Sequence, residues 1–300
     1  MIVRYELLDV FTNEPFGGNQ LAVVADARGI PESLMPRIAK ELNLSETTFV
    51  LPPADPAHDC RVRIFTPARE LPFAGHPTIG TAFARHRASG STGAARYVFE
   101  EGVGPIVVSV LPREGLAPMV QMEQPLPAFG ATVGDPAPVA AALGIEIADL
   151  ALDRAPVQTV SSGVPFLYVP VRSLEVMARL RLRADLVEQL LGPEGHALFV
   201  WTAETERAGS HAHARMFAPR LGITEDPATG SANGPFAAYL LKHGVVRQAL
   251  TVRIVTEQGF EMGRPSILVA EVEHAAGVVT AVRVGGECVW MGHGELEIAA

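Results

Sequence analysis

RIFTPARELPFAGHPTIGTAFARHRASG (Arg63–Gly90) and RMFAPRLGITEDPATGSANGPFAAYLLKHG (Arg215–Gly244) share one order of features. Each opens on Arg-apolar-Phe-small-Pro, passes through a loop to a small-Gly-polar joint, and continues as an apolar helix that closes on Gly. Upstream, TFVLPP at Thr48 faces LFVWTA at Leu198, and GNQLAVV at Gly18 faces GVPFLYV at Gly163. The separation between partners grows steadily: 145 for Gly18 and Gly163, 150 for Phe49 and Phe199, 152 for Phe65 and Phe217, 155 for Gly75 and Gly230. A tandem duplication with small loop insertions drifts in one direction in this way, whereas chance matches scatter.

A duplicated unit predicts two pseudo-symmetric lobes. Strands are expected at Ile2–Val10, Leu21–Ala25, Thr47–Leu51 and Arg61–Phe65, and again at Phe166–Val171, Leu198–Ala203, His213–Phe217 and Thr251–Thr256. Leu34, Ile38 and Leu42 recur every four residues, which marks one face of a helix over 31–43. The helices Pro77–Arg87 and Asn233–His243 are apolar nearly all round, so each is expected inside its own sheet. Pro125–Pro138, dense in Pro and Gly, reads as the linker, and a ligand site is expected at the seam between the lobes.

Bulk composition excludes several functions. The chain has 300 residues, 48% hydrophobic and 19% charged, enough for large cores in two domains. A net charge of −9 opposes a nucleic-acid or anionic-membrane surface. Lys40 and Lys242 are the only lysines and sit in helical segments, which disfavours Schiff-base chemistry with pyridoxal phosphate. Cys60 and Cys288 cannot make a disulfide framework or a zinc site alone. No apolar run spans a membrane and no signal peptide is recognisable, so a cytoplasmic protein is expected.

The joints carry the candidate chemistry. At Ala74-Gly75-His76-Pro77 and at Thr229-Gly230-Ser231, Gly permits close approach of a ligand, and free helix N–H groups attract a carboxylate or phosphate. Ser231 and Asn233 read as helix caps. Either joint alone is also an ordinary helix start; two related by the repeat point to a pair of anion-binding helix ends. Such an end disfavours a charged His76. The titratable candidates are His76, Asp226 and Glu46, the last at a strand entry that reads equally as a solvated start. His211 and His213 alternate on one strand face, but no third metal ligand is evident at a plausible spacing. Dinucleotide, phosphate-loop and hydrolase-elbow signatures are absent, which leaves acid–base chemistry without a cofactor on a small anionic substrate.

The chain resembles the PhzF-like phenazine-biosynthesis family of the diaminopimelate epimerase-like superfamily. The match rests on DVFTNEPFGGNQLAVV (Asp9–Val24), NLSETTFV (Asn43–Val50), ELPFAGHPTIGTA (Glu70–Ala82), EDPATGSANGP (Glu225–Pro235) and GECVWMGHGEL (Gly286–Leu296). The resemblance implies an α+β fold with two lobes, each a barrel-like, mostly antiparallel sheet around a central helix. The first lobe would span 1–125 and be completed by the strand at 287–300, the second would span 126–286, and the protein would be a homodimer.

It also implies an isomerase acting without metal or cofactor, similar to trans-2,3-dihydro-3-hydroxyanthranilate isomerase. Glu46 would move a proton between ring carbons while His76, Asp226 and Ser231 orient the substrate. Gly75, Gly230 and Ser231 would hold its carboxylate through backbone amides, with Asn19 also on the substrate. Racemases of the superfamily use two cysteines, each just before the Gly of a joint; here those positions are Ala74 and Thr229. A single carboxylate base suits an allylic or keto–enol isomerisation, and it works near neutrality when a dry cleft raises its pKa. An epimerase using other bases and an inactive binding protein are the alternatives.

Overall fold

The computed structural model describes residues 1–191, 197–275 and 278–298. The chain divides into two compact units, Met1–Glu123 with Val284–Ala300, and Gln124–Arg283. The first carries β1 (Ile2–Val10), β2 (Asn19–Val24), β3 (Glu46–Leu51), β4 (Cys60–Phe65), β5 (Glu70–Leu71), β6 (Ala95–Glu101), β7 (Gly104–Arg113) and β8 (Leu116–Gln124), with the helices α1 (Met35–Leu42) and α2 (Gly75–Ala88). The second carries β9 (Ala128–Thr132), β10 (Gln158–Ser161), β11 (Pro165–Pro170), β12 (Ala197–Thr202), β13 (Ala212–Ala218), β14 (Ile223–Asp226), β15 (Thr251–Gln258), β16 (Ser266–Ala275) and β17 (Val278–Gly286). Its helices are α3 (Ala137–Leu143), α4 (Leu174–Arg179), α5 (Ala184–Leu191) and α6 (Gly230–Lys242). The last strand, β18 (Cys288–Glu297), pairs antiparallel with β1.

The repeat is visible in the pairing. In the first unit β2 runs parallel to β3, β3 antiparallel to β4, β4 antiparallel to β5 and parallel to β6, and β6 antiparallel to β7. In the second, β11, β12, β13, β14, β15 and β16 repeat that succession of orientations step for step. The fold is therefore α+β, with mostly antiparallel sheets.

Each unit wraps its sheet round one buried helix. Helix α2 touches β18, β1, β2, β3 and β7, strands from distant parts of the sheet. Its first eight residues are all buried, so that part of the helix has no solvent face, and exposure begins only at Arg85. In the second unit Tyr168 stacks on Phe236 and Tyr239 of α6, while Phe199 packs tilted against Phe236 and Trp201 meets both rings edge-on. Burial of aromatic side chains of this size dominates core energetics. Outside the sheet, Met35, Ile38 and Ala39 of α1 cover Val24, Phe49 and Phe65, which accounts for the four-residue spacing in that helix. With helices on both faces, β2, β3 and β12 are buried along most of their length, the polar Asn19, Glu46, Thr47 and Thr48 included.

Some expectations are corrected. The segment read as a linker holds a strand: β9 lies within Pro125–Pro138 and pairs with β10. Four of its five residues are exposed, and such a strand tolerates the neighbouring Pro and Gly. Ser231 and Asn233 are not caps. Helix α6 starts at Gly230 with Thr229 as N-cap, so both lie inside it. Strand β2 starts two residues early, because Asn19 and Gln20 pair with Val10 and Asp9 of β1.

Candidate active site

In the first unit three elements begin at one place. Leu21 of β2 lies opposite Glu46 of β3 in parallel register, so both strands start at the same edge. Helix α2 starts there too, which brings Asn19, Glu46 and His76 together. Their exposures are 0%, 6% and 4%. His76 Nδ1 lies 3.2 Å from Asn19 Nδ2, and its Nε2 lies 3.2 Å from Glu46 Oε2. That second distance is ion-pair range, but its alignment is too poor for a hydrogen bond. Burial pushes the His76 pKa down to about 3 against a hydrogen bond with the Gln20 backbone, so the ring is neutral. The sequence attributes a neutral ring to the helix terminus; in the structure desolvation is the dominant cause.

Ala74, the N-cap of α2, has an extended backbone and no side chain that could cap the helix. The N–H groups of Gly75 and His76 are therefore not taken up by a cap and can serve an anion. Chemically, a buried carboxylate beside a neutral imidazole is suited to moving a proton while the helix end carries negative charge.

In the second unit, β14 ends on Asp226, and Thr229 Oγ1 donates to Asp226 Oδ2 at 2.5 Å. Gln258 at the end of β15 clamps this loop. Its Nε2 donates to the Asp226 carbonyl at 2.7 Å and to Thr229 Oγ1 at 2.9 Å, while its Oε1 accepts from the Thr229 N–H at 3.1 Å. Asn233 Nδ2 donates to the Thr229 carbonyl, and Gln124 Nε2 to that of Gly230. Gly230 and Ser231 occupy the first two helical positions, with Ser231 half-buried. Gly259 is required at the corner, since a Cβ there would lie 2.6 Å from the Pro227 carbonyl oxygen.

Behind that corner, His213 is fully buried between Glu257 at Nδ1 and Glu261 at Nε2, each 3.0 Å away. Burial disfavours its charge, but the two carboxylates outweigh this and raise its pKa to about 9. His211 precedes the strand that carries His213. Among the described residues no group of three or more His, Cys, Asp or Glu could hold a metal ion. Cys60 and Cys288 are buried on β4 and β18, and desolvation pushes the Cys60 thiol to about 12 and Cys288 higher still.

Gln258, Gln124 and the buried pair Thr78–Glu101 were not singled out from sequence. The EG of Glu101-Gly102 and the QG of Gln258-Gly259, 157 residues apart, continue the drift of the repeat and are the signal that could have found two of them.

The family model PhzC-PhzF, described as phenazine biosynthesis-like protein, matches residues 8–294. An isomerase of Mesorhizobium japonicum, itself uncharacterized, is 39% identical over 98% of this chain and 99% of its own. The trans-2,3-dihydro-3-hydroxyanthranilate isomerase of Pseudomonas fluorescens is 36% identical over 98% and 99%. The crystal structure of a PhzF-family protein of Bacillus anthracis superposes with a TM-score of 0.91 at 28% identity, covering 99% of this chain and all of that one.

Proposed function

The chain belongs to the PhzC-PhzF family of phenazine biosynthesis-like proteins and is an isomerase, and we propose that it acts on trans-2,3-dihydro-3-hydroxyanthranilate or a closely related unsaturated cyclic carboxylate. The observation that carries this reading is the buried Glu46 carboxylate 3.2 Å from a neutral His76 at the start of a helix without a side-chain cap. Glu46 takes a proton from one ring carbon as that C–H bond breaks and its electron pair moves into the conjugated system. The proton returns to another ring carbon as a new C–H bond forms. No electron leaves the substrate, so the step balances without an oxidant. His76, fixed by Asn19, offers a neutral polar edge to the developing charge, and the Gly75 and His76 N–H groups attract the carboxylate.

The resemblance implies functional roles for Asp226 and Ser231, and for the Gly230 and Ser231 amides, in orienting substrate. Asp226→Asn and Ser231→Ala are expected to lower kcat/KM. A racemase of the two-thiol kind is disfavoured, because Ala74 and Thr229 precede the two glycines and both cysteines are buried elsewhere. No helix among the described residues is long and apolar enough to cross a membrane. We place the protein in the cytoplasm as a homodimer, which light scattering would test.

The decisive experiment incubates the protein with trans-2,3-dihydro-3-hydroxyanthranilate in deuterated water. Isomerisation places deuterium on a ring carbon that carried none. Deuterium at an inverted stereocentre would instead mean epimerisation, and binding without exchange would refute this substrate.

A further inference from the structure

Glu101 is a buried carboxyl, 8% exposed, that the proposed reaction does not use. Its Oε1 lies 2.6 Å from Thr78 Oγ1, and that same hydroxyl lies 2.7 Å from the carbonyl oxygen of Ala74. A threonine hydroxyl has one hydrogen, and a carbonyl oxygen can only accept. If Thr78 donates to Ala74, the contact with Glu101 needs a proton from Glu101. If Glu101 is ionised, it competes with Ala74 for the one hydroxyl hydrogen.

The contact matters because of where Ala74 stands. It is the N-cap of α2, immediately before Gly75 and His76, and it has no capping side chain. The first helical N–H, that of Thr78, reaches its carbonyl only at 3.4 Å. The Thr78 hydroxyl is the shorter bond, and it closes the turn that presents His76.

The duplicated unit shows what this position does elsewhere. Glu101-Gly102 ends β6, the strand parallel to β4; Gln258-Gly259 ends β15, the strand parallel to β13. Both glycines press on the proline of the facing loop, with an added Cβ placed 2.7 Å from Pro72 Cα in one case and 3.0 Å from Pro227 Cα in the other. Gln258 holds the N-cap of α6 through Thr229 Oγ1 with an amide that is neutral at every pH. Glu101 is its counterpart toward α2.

We propose that Glu101 is a positioning residue that works as a neutral acid, donating its proton to Thr78 so that Thr78 can close the first turn of α2 and fix His76. Its ionisation releases the Ala74 carbonyl and loosens that turn, which makes the turn that carries His76 sensitive to alkaline pH. Burial raises the Glu101 pKa to about 8, and the bond to Thr78 opposes this only in part. Its Oε2 has no hydrogen-bond partner, which a neutral acid tolerates far better than a carboxylate.

The surrounding charges leave it in this state. From β4, the Cys60 thiol is itself pushed to about 12, and Arg63 is bound by both oxygens of Glu70 on β5. From β6, Glu100 is held by His58 and the amides of Ala54 and Asp55. Arg61 and Glu101 both line a cavity of about 510 Å³, Thr78 meets Glu101 from α2, and Gly104 opposite on β7 has no side chain to titrate.

The test follows the His76 ring carbon in protein labelled with 13C-histidine, from pH 6.5 to 9.5. His76 does not titrate in this range, so a shift reports its surroundings. Wild type is expected to show a transition near pH 8, absent in Glu101→Gln, whose amide donates at every pH, and absent in Thr78→Val. The latter keeps the test open if Glu101→Gln does not fold. In parallel, kcat/KM at pH 9 is expected at about a tenth of its plateau in wild type, with this alkaline fall lost in Glu101→Gln. A wild-type ring without the transition, or the same transition in both variants, overturns the proposal. This inference rests on the proposed role of His76, and the two fail separately: absent turnover with the transition present refutes the substrate and leaves the relay.

Discussion

Replacing His213 with Gln tests how the Asp226–Thr229 loop is held. In the native unit an imidazolium lies between Glu257, which is fully buried, and Glu261, at 3.0 Å from each. Glu257 also accepts the N–H groups of Glu206 and Arg207, and Gln258 beside it holds the loop. Glutamine has no charge and satisfies at most one of the two carboxylates well. Removing one member of a buried ion pair costs about 3–5 kcal/mol. Linkage gives a second route to the magnitude. The His213 pKa rises from 6.5 to about 9 on folding, which corresponds to about 3 kcal/mol of stability. Because the folded value is the higher one, that stability is present in full below pH 6.5 and is lost as pH climbs through 9. Trp201, fully buried in the same unit, reports unfolding in urea once Trp290 is replaced by Phe. His213 should account for about 3 kcal/mol of the stability that wild type loses between pH 6 and 9, beside the share from Glu101, and His213→Gln should start about that much lower and lose correspondingly less. A loss below about 1 kcal/mol in wild type, or a variant whose curve parallels it, would refute the reasoning.

Glu46→Gln keeps the shape of a buried side chain and removes the base, so deuterium exchange should fall about 10²–10⁴-fold with little change in melting temperature; a loss under tenfold would assign the base elsewhere. Gly80→Ala gains about 1 kcal/mol of helix propensity but drives a methyl group into Leu21 and to 2.9 Å from Val10 Cγ2. Overpacking of about 1–3 kcal/mol should win, and a stabilised variant by urea titration would show that the sheet yields around α2. Gln258→Leu strips the donors to Asp226 and Thr229 and leaves the Thr229 N–H unpaired, which should cost about 1–3 kcal/mol and lower kcat/KM. Retained kcat/KM in a folded Gln258→Leu protein would separate the loop from the chemistry.

What was legible in the sequence divides by how many residues carry each signal. The duplication spreads over whole strands and two motif-bearing joints, so the repeated strand order and the two all-round apolar helices could be read before any coordinates. Glu46, His76 and Asn19 were legible because each lies in a dense motif, although it takes the parallel register of β2 and β3 and the start of α2 at the same edge to bring them within contact. Three kinds of feature stayed hidden. Strand β9 has the composition of a linker because an exposed strand needs no apolar alternation. The N-cap of α6 is ambiguous among Thr229, Ser231 and Asn233, three good capping types in five positions, and the chain geometry chooses the first. Glu101 and Gln258 were hidden because a carboxylic acid and an amide look like different chemistry on the page. In a dry interior they do the same work as long as the acid keeps its proton. Where one copy of a duplicated fold uses an amide to hold a helix start, the other can use a carboxyl only by accepting a pH limit, and that limit falls in the copy that carries His76.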